Sequence, residues 1–310
     1  MKTNKTTIAA LIGGVVLALG VAGAGVYLAI NHAEEPTTVV VSDTESSSAA
    51  TTIAEGKNKI TSGGAYTFTG TVSSGKITVD TTEAVTIVLN NVSISSSDGA
   101  AIKCQEGSNV TVELVGDNTI KSTNEADGIN SEGDLIVTGS GSLKINAEDD
   151  GIHADGKLTI NGGNITISAV EGLEATYVVI NDGAVNITAS DDGINAANKS
   201  DKYSVCVEIN GGNLTIDMGQ GDTDAIDSNG SIVINGGTIT VTAQSPFDWD
   251  TSATLNGGTV IVNGTQVTSL TNQFGGMMGG GMTGSGGEQN ANQQQMQQQM
   301  PQGNSQQMRR

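Results

Sequence analysis

The chain has 310 residues, 43 of them glycine and only 3 proline, with 3% aromatics and a formal net charge of −20. Glycine-punctuated alternation of Val, Ile and Thr suits many short strands joined by tight turns and excludes a mainly helical protein. Residues 98–250 hold 25 acids against 6 lysines, a net of −19, and the only arginines are Arg309 and Arg310; nucleic acid, which needs clustered Lys and Arg to displace counterions, is excluded as a partner, and cations are favoured.

In chain order, Lys2 and Lys5 precede an uncharged stretch in which Ile8 to Ile30 is 23 residues, enough to span a bilayer with the N-terminus inside. Residues 1–30 read as a membrane anchor or a cleaved signal peptide, with Ala22-Gly23-Ala24 as a passable cleavage site. Either reading places the body outside the cytoplasm, on the extracellular face or secreted. Residues 31–57, rich in Ser, Thr and Ala, read as a flexible linker, and residues 271–310, rich in Gly, Met and Gln, as a disordered tail.

Between them, residues 58–270 carry a repeat that opens on an acid. Asp98, Asp127, Asp150, Glu171, Asp192, Asp224 and Asp248 are spaced 29, 23, 21, 21, 32 and 24 residues apart, the period of a solenoid. Within one repeat the apolar residues alternate: Ile152, then Leu158 and Ile160, then Ile165, Ile167 and Ala169. Period-two alternation gives short strands whose apolar faces point inward and stack on the same positions of the next turn. Asn161-Gly162-Gly163 recurs at Asn210, Asn235 and Asn256 and marks a corner where glycine tolerates positive φ. The expected fold is therefore all-β, a single-stranded right-handed parallel β-helix, with handedness following the usual crossover rule.

The opening acid is followed three residues later by a second oxygen-bearing residue: Asp127 with Asn130, Glu171 with Glu174, Asp192 with Asn195 and Asp224 with Asp227, with His153 taking that place after Asp150. Asp149, Asp191 and Asp222 add further carboxylates. Stacked at ~5 Å, each adjacent like-charged pair costs ~3 kcal/mol at an effective dielectric near 20. Calcium, which takes 6 to 8 oxygen ligands in loose geometry, is the cofactor these residues are expected to bind. Asp-Gly is also ordinary turn chemistry, which accounts for one Asp per turn and not for the doubled acids.

"GGAYTFTGTVSSGKITVD", "VTIVLNNVSISSSDGAAI", "DDGINA" and "GGTITVTA" resemble the calcium-binding, carbohydrate-binding β-helix family of bacterial cell surfaces. The resemblance covers about residues 58 to 250 and is most specific from Gly63 to Ile102. It implies a pectate-lyase-like fold and polysaccharide binding, acidic glycans included, without cleavage.

The residues themselves leave other readings open. "DDGIH" offers a carboxylate pair of the kind glycoside hydrolysis needs, but the pair recurs at Asp191-Asp192 without a histidine, and repetition marks structure rather than a single active site. A calcium-dependent lyase would need a strong base; with no arginine in the body, Lys157 and Lys202 are the candidates near the acids. An ice-binding face wants a regular Thr ladder, and Thr159, Thr215 and Thr240 are not expected in one register. A structural surface or adhesin scaffold is the remaining alternative. For sugar contact the candidates are Trp249, Tyr203 and Tyr177, although Phe247 and Trp249 equally suit a cap over the last turn. Cys104 and Cys206 fall about four repeats apart; at ~4.8 Å per strand the gap is on the order of 19 Å, too far for a disulfide. The expectation is a monomeric, exported polysaccharide-binding module.

Overall fold

The computed structural model describes residues 51–219 and 223–272 in full, and the backbone of three earlier strands, Thr7–Ile12, Val15–Gly20 and Thr38–Val41. The body is a parallel β-helix of about nine turns, and no helix occurs among the described residues. The turn that starts at Ile129 shows the plan. Ile129–Ser131 lies on a first face, Asp134–Gly139 on a second and Ser142–Asn146 on a third; the chain then returns to the first face at Ile152, directly over Ile129.

The alternation sets which side chains point in. On the first face Ile129, Ile152, Leu173, Ile194 and Ile226 stack in register. On the second, Leu135, Leu158, Val178, Val207 and Ile232 do the same, and on the third Leu143, Ile165, Val185, Leu214 and Ile239. All are essentially inaccessible to solvent. Each turn alone would expose its apolar row, so the core exists only as a stack.

Two kinds of glycine make the corners. At the second-to-third corner, Gly163 and Gly258 sit at φ +93° and +82°, where a side chain would be strained. The asparagines there form an exposed ladder: Asn181, Asn210, Asn235 and Asn256 each donate Nδ2 to the Oδ1 of the asparagine one turn earlier, at 2.8 to 2.9 Å. The glycines after Asp127, Asp150, Glu171 and Asp192 serve a different need. A Cβ on Gly172 would lie 2.3 Å from the Gly193 carbonyl oxygen and 2.4 Å from the Ile187 side chain. Here the next turn's backbone packs against Cα, so close approach rather than turn conformation requires glycine.

Several boundaries and registers differ from the sequence reading. Paired strands begin ahead of residue 58: Gly56–Ile60 pairs with Gly75–Val79 and with Thr38–Val41, and Ile53 is buried. Thr215 and Thr240 stand side by side on the third face, whereas Thr159 lies on the second, because the alternation fixes in or out and not which face a threonine occupies. Within the apolar segment 1–30, Thr7–Ile12 pairs antiparallel with Val15–Gly20; residues 21–37, and the tail from 273, lie outside the described residues. Among the described residues no helix is long and apolar enough to cross a membrane. At the other end Thr265–Val267 folds back antiparallel on Thr259–Val262.

Candidate functional site

The acids of the repeat form two parallel ladders beside the first face. Backbone bonds tie the opening positions together: Gly128 donates to the Asp150 carbonyl, Gly151 to Glu171, Gly172 to Asp192 and Gly193 to Asp224. This aligns Asp127, Asp150, Glu171, Asp192 and Asp224 at the third-to-first corner. The second ladder is the outward middle position of the first face itself, Asn130, His153, Glu174, Asn195, Asp227 and Asp248 in register. Asp248 therefore belongs to this second ladder and not, as its spacing implied, to the first, where Ser245 stands opposite Asp224. Asp98 also leaves the opening series, being paired with Lys76 at 3.1 Å and Lys57 at 3.8 Å. Asp149 and Asp191 are exposed on the approach to the ladders, and Asp222 lies outside the described residues.

The ladders divide by how their charge is balanced. In the upper part His153 is enclosed by acids: its Nδ1 is 3.0 Å from Asp150 and 2.5 Å from Glu174, and its Nε2 is 3.0 Å from Asp155. Burial alone would lower its pKa, but these three carboxylates outweigh burial and carry it up to about 11, so the ring is an imidazolium. Lys199 Nζ stands 2.5 Å from Glu174. Burial disfavours the Glu174 charge, yet His153 and Lys199 hold its pKa below the usual range.

The lower part has no such help. Among the described residues no Lys or His lies within ion-pair distance of Glu171, Asp192 or Asp227. Burial, with Glu174 and Asp150 nearby, pushes Glu171 up to about 8. Burial and the neighbouring aspartates raise Asp192 to about 7, and burial with Asp224 and Asp248 raises Asp227 to about 6. Asn195 donates Nδ2 to Glu171 at 3.1 Å, while its buried Oδ1 accepts from nothing. A cluster of oxygen acceptors with an orphaned carbonyl among them fits a hard cation. Glu171, Glu174 and Asp150 can also bring one ligand oxygen each within 4.8 Å of one another.

Of the aromatic candidates, Tyr177 and Tyr203 come together, with ring centroids 6.2 Å apart at 65°. Trp249 stands elsewhere, over Ser228 in the last turn of the first face, partly buried against the core beside the 2%-exposed Phe247, which is the capping position. Cys104 is buried and Cys206 half-buried, and both are free thiols.

Sequence reasoning named Lys202 and Tyr203 singly and missed the strap that carries them, residues 197–205, which runs back across the corner between the first and second faces. Lys199 and Ser200 donate backbone N–H to Thr176 Oγ1 at 2.9 Å, and Tyr203 Oη and Lys202 Nζ reach Asp134 at 2.8 and 2.6 Å. Asp134 belongs to a turn 69 residues earlier. The available signal was the 32-residue spacing from Asp192 to Asp224, the longest in the series.

The protein is thus a parallel β-helix whose first face displays stacked carboxylates. The chain belongs to the carbohydrate-binding domain-containing protein family, whose model matches residues 54–295. In structure it is similar to a polysaccharide lyase-like protein from C. thermocellum, solved as a gadolinium derivative, at 29% identity and a TM-score of 0.59 over 74% of this chain and 98% of that one. Among curated proteins nothing matches. The family and this neighbour support a polysaccharide-binding role.

Proposed function

We propose that the chain is an exported, surface-displayed module that binds acidic, uronate-bearing polysaccharide without cleaving it, with Ca2+ joining the lower carboxylate ladder to the glycan. The observation that carries this reading is the orphaned Asn195 Oδ1 among Glu171, Asp192 and Asp227, acceptors without a protein cation. These residues, with Asp191 and Asp224, would hold the ion. Calcium would supply positive charge that a glycan carboxylate or hydroxyl can share. Export rests on the N-terminal apolar segment alone.

The second reading, a calcium-dependent lyase, draws support from the lyase-like neighbour and from Lys199 beside the ladder. The electrostatics weigh against it. An eliminating base must be unprotonated, but His153 is held up at about 11, and the bonds to Glu174 outweigh burial and raise Lys199 as well.

The full chain should retain polygalacturonate in an affinity gel with calcium and release it in EDTA. Calcium at ~100 times its dissociation constant should add ~2.7 kcal/mol per site, a rise in melting temperature of roughly 5–10 °C. Asp191→Asn with Asp192→Asn should weaken calcium binding and leave the fold intact. Retention and melting that ignore EDTA would overturn the calcium reading, and steady growth of absorbance from unsaturated product would replace it with the lyase.

A further inference from the structure

The middle position of the first face changes sign along the stack. In register it runs from Lys103 through Asn130, His153, Glu174 and Asn195 to Asp227. Before Glu174 the protein supplies its own positive charge: Lys103 Nζ stands 2.6 Å from Asn130 Oδ1, and the His153 imidazolium follows. After it, among the described residues, no lysine or histidine lies within ion-pair distance of Asp227. Glu174 is the border.

Both oxygens of that border carboxylate are engaged. Oε2 faces His153 Nδ1 and Oε1 faces Lys199 Nζ, each at 2.5 Å. The two cations differ in origin. His153 occupies a ladder position and its side chain is 14% exposed, whereas Lys199 comes from the strap, which occurs once, and its side chain is 34% exposed.

Without the ammonium, Glu174 Oε1 would face a set of oxygen ligands. Asp150, Glu171 and Glu174 can bring one oxygen each within 4.8 Å of one another. Independently, Asn195, which donates to Glu171 at 3.1 Å, keeps a buried Oδ1 that accepts from nothing. Calcium needs 6 to 8 oxygens; a lysine ammonium covers one of them and, as a compact point charge, repels the ion. The strap does not depend on the Lys199 side chain, because the backbone N–H groups of Lys199 and Ser200 hold Thr176 Oγ1 and Tyr203 Oη holds Asp134.

We propose that Lys199 is a resident counterion that withholds Glu174 from calcium and so limits how tightly the ladder binds the ion. The inference rests on the calcium reading and adds the residue that restrains it.

The test is titration calorimetry of the full chain with calcium chloride at physiological salt, together with thermal melts in EDTA and in saturating calcium. Lys199→Met should bind calcium roughly tenfold more tightly than the parent. Lys199→Arg, which keeps the charge, should bind like the parent. So should Lys59→Met, which loses a lysine paired with Asp80 several turns away and beyond the reach of screened charge. In EDTA Lys199→Met should melt below the parent, since Glu174 loses a counterion; saturating calcium should close that gap. A side chain that merely holds the strap would leave the gap open in calcium. The proposal is overturned if Lys199→Met binds calcium no more tightly than the parent, or if its melting gap persists in calcium; the parent's own isotherm would leave the calcium reading standing. A parent that takes up no calcium removes that reading, while uptake by Lys199→Met alone would sustain this one. If neither takes up calcium, both fall.

Discussion

At the scale of the residue, environment separates groups of identical chemistry. Cys104 points into the core between Val79 and Ser131 of the first face, and burial pushes its thiol up to about 12. Cys206 sits half-buried on the second face between Tyr177 and Ser231, and burial, helped by Glu208, raises it to about 11. Thiolate is the alkylating nucleophile, so at pH 8 iodoacetamide should leave Cys104 unmodified and label Cys206 slowly, while both should react in guanidinium. Rapid native labelling of Cys104, read by mass spectrometry, would mean that the solenoid opens there. The acids behave alike: Glu174 and Glu171 are three residues apart, yet one is held ionised by His153 and Lys199 and the other is pushed up to about 8.

At the scale of the element, the corners carry two separable demands. Asn235 donates to Asn210 and accepts from Asn256; Asn235→Ala removes both bonds and should cost about 1 kcal/mol, seen as a melting temperature lower by ~2–4 °C. Gly172→Ala should cost more, ~1–3 kcal/mol, because the atoms its Cβ meets include the backbone of the following turn, which cannot step aside. If Gly172→Ala melts with or above the parent, the glycine after the opening acid is ordinary turn chemistry and the close-approach account is wrong.

At the scale of the whole molecule, a formal charge of −20 is concentrated on a stack whose turns hold one another in place. Without calcium, the like charges of the lower ladder oppose that stacking. Sodium chloride shortens the Debye length from ~30 Å at 0.01 M to ~3 Å at 1 M; in EDTA it should therefore raise the melting temperature over that range, and with saturating calcium the gain should shrink. Thermal melts at several salt concentrations read this directly. An equal salt response with and without calcium would show that the ladder is not what the ion neutralises.

The sequence by itself determined the solenoid, its three strands per turn, the inward residues and the glycine corners. Each follows from a local rule repeated many times: period-two alternation decides in or out, and glycine marks where the chain must bend or pass close. It also showed that acids recur at one corner. Only the tertiary structure decided which acids have protein counterions, since His153 and Lys199 reach Glu174 from other turns. Only it moved Asp248 to the second ladder, and only it placed the strap, whose Tyr203 and Lys202 return to Asp134 across several turns. Periodicity records what every turn repeats. A strap that occurs once, and the charges it brings across the stack, leave no period behind, so their partners are settled only when the turns are in place.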